Sequence, residues 1–388
     1  MDVTRQLEQL VSQLDTRQRG LAARGGETIP FAVRVRDGPR RCIPSSNGAE
    51  PAFTIVIYEP SALRALQSMD VSRVGEAFLR GALDVEGELW QAMALRDMLS
   101  DRRQLGRAWH YVRPLLRGRV PDDKRIVARH YEQEADFFLY FLDQRHRCYS
   151  HGVFERDDED LEPGITRKLE FSLDAAGIGP GDRVLDVGGG WGAFTEFAGC
   201  RGVHVTSLTI SERSERFMAD LVAREGLPCR VVREHLYEHR AERPYDAIVI
   251  MGVTEHLPDY PGTLAVCERL LKPGGRVYVD ASAARRRYDL SSFLLRHIFP
   301  GSGSPMVLHQ YLAAVARSRF SVTAVYNDRH NYLLTSKHWA QRLDRNRELI
   351  ERRWGAELYR IWRLYLWGCV DGFTRDAIQA YRVVLQLA

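Results

Sequence analysis

The chemistry in this sequence concentrates in Asp186-Val-Gly-Gly-Gly-Trp-Gly192, a glycine turn placed where a short apolar run meets a helix. Glycines at such a junction let backbone approach a ligand closely, and the helix amino terminus offers unpaired N–H groups. Two nucleotide cofactors suit a turn of this kind, and they make different demands. A dinucleotide site asks for G-x-G-x-x-G and an acidic residue about 20 positions on for the ribose. Gly188, Gly190 and Ala193 satisfy the loose form with its final alanine, yet the second strand ends in Ser207-Leu208-Thr209 without a carboxylate. An S-adenosylmethionine (SAM) site uses a shorter glycine turn, often with an acidic residue inside the first strand, as Asp186 is. The glycines alone also read as a plain tight turn before a buried helix. Asp186, the turn Lys272-Pro-Gly-Gly275 and the strand rhythm around them favour SAM.

These residues need a sheet to position them. From about residue 165, Arg183–Val187, His204–Leu208, Arg230–Val232, Asp246–Met251 and Arg276–Val279 are predicted strands separated by helical stretches. That alternation implies an α/β fold, a mostly parallel Rossmann-like sheet with helices on both faces and ligands at the strands' carboxyl ends. Residues 1–98 have a different texture. A leading helix precedes the alternating run Phe31–Arg36, closed by Asp37-Gly38, then the β-branched run Phe53–Tyr58 and partial helical spacing after Pro60. This reads as a small α+β domain. Residues 99–129, rich in Arg and Asp with Pro114 and Pro121, read as a linker, and residues 130–388 as the catalytic domain.

Composition narrows the class. The chain has 388 residues, 45% apolar and 27% charged, which is the make-up of a folded soluble protein of two or three domains. Its 55 Lys and Arg against 51 Asp and Glu leave a charge of +4, too small a bias for a dedicated nucleic-acid binder. No run approaches the roughly 18 apolar residues of a spanning helix. The start, MDVTRQLEQLVSQLD, reads as an amphipathic helix and not as a signal peptide. Six cysteines at wide, irregular spacing make neither a disulfide framework nor a zinc site, so no metal is expected.

A specific resemblance runs through both domains. Gly75-Glu-Ala-Phe-Leu-Arg-Gly-Ala-Leu-Asp-Val-Glu-Gly87, His130-Tyr131, Asp136-Phe-Phe138, Val184–Gly192, Thr209-Ile-Ser211, Glu255-His256, Ile298-Phe-Pro300 and Tyr365…Cys369…Phe373 are similar to the cyclopropane fatty acid synthase family of SAM-dependent methyltransferases. The resemblance implies that Asp186, Gly188, Gly190 and Trp191 hold the methionine and ribose end of SAM, and that Thr209 and Ile210 flank the adenosine. It places Glu234 near the adenine and folds Tyr131 over the cofactor. Where the family usually has GCGWG, this chain has Gly188-Gly189-Gly190-Trp191-Gly192.

In the resembling enzymes a cis double bond takes the SAM methyl, and a bound bicarbonate removes a proton so that a ring closes. The family holds bicarbonate with a cysteine, a glutamate, a histidine and a tyrosine. Glu255 and Tyr332 match two of these; His151 stands in place of the cysteine and Asp280 in place of the histidine. A carboxylate in an anion pocket repels bicarbonate, so an intact bicarbonate site is not expected. The catalytic base is expected to be rebuilt from Glu255, Asp280 and His151, with Tyr332 orienting them. Asp280 as a loop cap and His151 as a satisfied loop histidine are the plainer readings.

The implied activity is alkylation of an alkene carbon in an apolar substrate, first of all an unsaturated phospholipid acyl chain. Methylation without ring closure, alkylation of a non-lipid metabolite, and a non-catalytic SAM-binding protein are the alternatives. The expected setting is cytoplasmic, peripheral at the inner face of the membrane, with transient lipid contact, no nucleic acid, and self-association into a homodimer through the amino-terminal domain. Arg285-Arg286-Arg287 reads as a solvated face, and the aromatics from Trp354 to Phe373 as core.

Overall fold

The computed structural model describes residues 3–44, 50–100, 135–287, 290–299 and 303–388. Tyr131 and all but the first two residues of the expected linker lie outside them. The described chain divides into two compact units. One takes the residues up to 100 together with Ser291–His297 and Arg347–Asp371, and the other takes the remainder.

The first unit is built on a four-stranded sheet in the order β2-β1-β3-β4, formed by β1 (Phe31–Val35), β2 (Arg41–Ile43), β3 (Phe53–Ile57) and β4 (Leu83–Gly87). Every residue of β3 is buried, as its β-branched and aromatic run, polar only at Thr54, requires of a central strand. It pairs parallel to β1, and Phe31 stacks on Phe53 across that pair at 5.1 Å. Arg347–Asp371, which falls within the expected catalytic stretch of residues 130–388, packs in the first unit. Arg360 explains why. Its guanidinium donates to the Phe78 carbonyl (3.0 Å) and to Asp84 (2.7 Å) and lies over the Phe78 ring. The aromatics Tyr359, Trp362 and Trp367 are buried, as core residues are.

The second unit carries a seven-stranded sheet in the order β10-β11-β9-β8-β5-β6-β7. Its strands are β5 (Arg183–Val187), β6 (His204–Thr209), β7 (Arg230–Arg233), β8 (Tyr245–Met251), β9 (Leu271–Ala283), β10 (Phe320–Asn327) and β11 (Gln379–Leu387). The five predicted strands are present and parallel. β9 begins earlier than expected because Lys272–Gly275 bulges out of the pairing, which resumes at Arg276 opposite Ala247. The sequence reading did not include β10 and β11. They close the sheet edge antiparallel, and their pairing joins segments more than 50 residues apart.

Connections place the site. From β5 the chain crosses through helix Ala193–Gly199 to β6 on one side, and later enters β8 on the other side. The strand order reverses at β5, so a crevice opens outside the carboxyl ends of β5 and β8. Helix Leu161–Ala176 precedes β5 and ends at Gly177, whose left-handed conformation (φ 65°) suits glycine.

Candidate active site

The crevice at the strand ends is a groove lined by Val187, Gly188 and Gly190 at the end of β5, and by Thr209, Ile210 and Ser211 at the end of β6. Glu234 and His235 line it after β7, and Gly252, Val253 and His256 after β8. Four adjacent strands therefore each contribute their carboxyl end. Gly188 sits at φ 80°, where a Cβ would lie 2.4 Å from a Val253 methyl. Gly190 sits at φ 56°, where a Cβ would meet only the Gly188 carbonyl oxygen, at 4.0 Å. Only glycine leaves that backbone bare toward the groove. Gly189 is tight for another reason: a Cβ there would lie 2.0 Å from the Ser207 hydroxyl and 2.7 Å from Met218 Sδ. The volume that a cysteine would need is filled from β6 and the next helix.

Asp186 and Trp191 support the turn from behind. The Asp186 carboxylate is buried and accepts from Ser207 and Thr195, both at 2.9 Å. Burial pushes its pKa up to about 6 against those two hydrogen bonds and the charge of Lys168. The Trp191 ring is buried against Phe138 and Phe217. Neither side chain lines the groove. Thr209 accepts from the Ser211 N–H (3.2 Å), which leads into helix Glu212–Arg224. Glu234 is oriented by a buried relay: His239 Nδ1 lies 2.8 Å from its carboxylate, and His239 Nε2 lies 3.0 Å from the Tyr245 hydroxyl. A bare glycine backbone, an oriented carboxylate and apolar Ile210, Leu236 and Val253 suit a nucleoside with a hydroxylated sugar and a flat base.

The expected base cluster is brought to one sheet face but is divided among different partners. Asp280 and Ser282 are two apart on β9 and so share a face. Glu255 Oε1 accepts from both the Ser282 N–H and hydroxyl at 2.7 Å, while Oε2 is buried without a hydrogen-bond partner. Burial pushes the Glu255 carboxyl up to about 7; Ser282 opposes the shift and the charge of Asp280 adds to it. Asp280 is not joined to His151. Its carboxylate lies 3.3 Å from the ammonium of Lys168, a lysine that is fully buried. Lys168 also donates to the Ser150 hydroxyl and approaches Cys148 Sγ at 3.2 Å. Burial disfavours its charge, but Asp280 and Cys148 outweigh that and raise its pKa.

His151 is buried beside other groups. Its ring lies 5.0 Å from Tyr332, which stacks on Phe373, and its Nε2 lies 3.4 Å from Asp328 Oδ2. Arg382 sits opposite Asp280 on β11 and grips Asp328 with two bonds, 2.6 and 3.1 Å. Reading residues in sequence missed Lys168, Asp328 and Arg382. Lys168 had a signal. It falls on the apolar stripe of its helix with Leu161, Ile165, Leu169 and Leu173, and it is one of four lysines among 51 arginines. Arg382 is likewise the one charge inside the run Ala380–Leu385.

A family model described as mycolic acid cyclopropane synthetase matches residues 120–383. The chain belongs to that family. It is similar to a probable fatty acid methyltransferase of Pseudomonas putida, 26% identical over 92% of this chain and 91% of that one. Cyclopropane mycolic acid synthase 1 of Mycobacterium tuberculosis is 30% identical over 67% of this chain and 96% of its own length. Among solved structures, the cyclopropane synthase MmaA2 from Mycobacterium tuberculosis superposes with a TM-score of 0.64 at 26% identity, covering 68% of this chain and 98% of that one. The mycolic acid cyclopropane synthase CmaA1, complexed with SAH and CTAB, gives 0.63 at 28% identity over 68% and 98%. The chain is thus a SAM-dependent methyltransferase of the cyclopropane synthase and fatty acid methyltransferase family, and SAM is its cofactor. No helix among the described residues is long and apolar enough to cross a membrane.

Proposed function

We propose that this enzyme transfers the SAM methyl to an alkene carbon of an unsaturated acyl chain and closes a cyclopropane ring, using a base made of protein groups. SAM, when bound, supplies an electrophilic methyl on a sulfonium centre. Gly188 and Gly190 would admit its methionine and ribose portion, Glu234 would lie near the adenine, and Thr209 and Ile210 would flank the nucleoside. Two buried basic groups carry the proposal: Glu255 Oε2 and both ring nitrogens of His151 lack a hydrogen-bond partner among the described residues, Nε2 lying 3.4 Å from Asp328 Oδ2. They are the groups left to take the proton that must leave the substrate before a ring closes. Lys168 neutralises Asp280 and removes it from that role. Tyr332 covers His151 with its ring. The reading needs no bicarbonate, because the acceptors belong to the chain itself.

The test is incubation of the purified chain with SAM and dioleoyl phosphatidylglycerol vesicles, with and without added bicarbonate, followed by mass spectrometry of the acyl chains. A gain of one CH₂ per alkene, a ring by NMR and no response to bicarbonate are expected. A methyl branch in place of a ring would replace cyclopropanation with simple C-methylation. Strong stimulation by bicarbonate would overturn the protein-borne base. No modified lipid, with SAM bound, would direct the search to a non-lipid alkene.

A further inference from the structure

We propose that Asp328, clamped by Arg382, is the positioning residue for His151, fixing its ring with Nε2 protonated and Nδ1 bare. The inference rests on the reading of His151 as a proton acceptor and goes beyond it by naming what makes it one.

Asp328 occupies the position just before helix Arg329–Arg345, where an aspartate ordinarily accepts from the first backbone N–H groups. Here the side chain makes no such cap. The carboxylate is turned inward instead. Oδ1 accepts from Asn331 Nδ2 (2.7 Å) and an Arg382 terminal nitrogen (3.1 Å), and Oδ2 accepts from Arg382 Nε (2.6 Å) and faces His151 Nε2 at 3.4 Å. A planar guanidinium bound at two points fixes the plane of a carboxylate. Burial penalises that charge, but the imidazolium form of His151 and the Arg382 guanidinium outweigh it and hold Asp328 well below the usual carboxylate range. Arg382 is fixed in turn, its guanidinium 4.2 Å from the Phe171 ring and 4.9 Å from that of Tyr326.

The backbone around His151 is pinned to the same helix. The Gly152 N–H donates to Thr335 and the Phe154 N–H to Asn331, both at 2.9 Å. Tyr332, one turn after Asp328, lays its ring 5.0 Å from the imidazole. Carboxylate, aromatic cover and backbone anchors thus come from one helix end, leaving the imidazole little freedom to turn. A histidine that gives Nε2–H to a carboxylate keeps its Nδ1 lone pair for another proton, and the carboxylate stabilises the imidazolium that results.

Ring nitrogen spectroscopy reads the tautomer without turnover. The full-length chain, labelled with ¹⁵N-histidine and saturated with S-adenosylhomocysteine, is recorded at pH 7.5, and His151 is assigned by loss of its signals in His151→Gln. Expected is an Nε2–H tautomer with bare Nδ1, which mixes or inverts in Asp328→Asn and mixes in Arg382→Lys, whose ammonium cannot make the two-point grip. Unchanged His151 signals in a folded Asp328→Asn, a protonated Nδ1 in the parent chain, or an unchanged tautomer in Arg382→Lys would each overturn the proposal. Should Asp328→Asn fail to fold, Arg382→Gln replaces it with the same expectation, and an unchanged tautomer there likewise overturns it. On dioleoyl phosphatidylglycerol vesicles, kcat of Asp328→Asn is expected to fall about 10²-fold with KM little changed. Full turnover by His151→Gln would remove the proton-acceptor reading on which the proposal rests while leaving the spectroscopic result in place. Loss in His151→Gln but not in Asp328→Asn would sink the positioning role alone.

Discussion

Glu255 shows how one residue ties stability to chemistry. Its carboxyl titrates near 7 in the fold against an ordinary value of 4.5, because it is buried. The folded state therefore prefers the protonated form. The contribution of this group to stability is fully present below about 4.5 and is lost as pH rises through about 7. Glu255→Gln is expected to melt higher than the parent at pH 8 and alike at pH 4.5, by differential scanning fluorimetry; a gap constant with pH would contradict this. The same variant should lose kcat by about 10²–10⁴-fold. Gly189 is the second informative residue. With a Cβ facing Ser207 at 2.0 Å, Gly189→Cys is expected to cost about 1–3 kcal/mol in urea unfolding, partly recovered when Ser207→Ala makes room. An equal cost in both backgrounds would remove crowding as the cause. The departure from the family's glycine–cysteine pattern is thus matched by a neighbour that only the fold reveals.

Elements explain why certain pairs exist at all. Lys168 lies on helix Leu161–Ala176 and Asp280 on β9, and their side chains are 0% and 1% exposed. Removing one partner leaves an uncompensated buried charge, so Lys168→Met is expected to destabilise by about 3–5 kcal/mol, and Lys168→Met with Asp280→Leu by much less. Urea denaturation of both checks it; a double variant as unstable as the single one would show that the pair holds the helix for another reason. The turn after β7 makes a second such arrangement, with His239 and Tyr245 behind Glu234. His239→Ala is expected to weaken S-adenosylhomocysteine binding about fivefold to tenfold by calorimetry. An unchanged affinity would take Glu234 out of the cofactor site. The parallel strands were legible because β5, β6 and β8 are short apolar runs with helices between them, and period and length identify such runs. β10 was not, although Phe320, Val322, Ala324 and Tyr326 alternate along it, because as an edge strand it is largely exposed and its partner lies more than 50 residues away.

For the whole molecule, the proposed acyl-chain substrate has to meet a chain whose charge is +4 and whose described helices include none able to span a bilayer. An acyl-chain substrate calls for reversible lipid contact. Sedimentation with dioleoyl phosphatidylglycerol vesicles is expected to carry down part of the protein and release it on dilution; a chain that stays in solution while methylating a soluble alkene would assign a metabolite substrate. The change of texture near residue 165 marks where strand–helix alternation begins, whereas nothing local marks Arg360 as the partner of Asp84. By itself the sequence determined the glycine turn after the first parallel strand, the parallel strands and the resemblance to cyclopropane synthases, because these depend on residues close together in the chain and on periodicity. Only the tertiary structure decided which charges share a space. Lys168 with Asp280, and Arg382 with Asp328 and His151, come from segments 54 to 231 residues apart, and the low dielectric that makes their pairing obligatory exists only once the sheet and helix have excluded water.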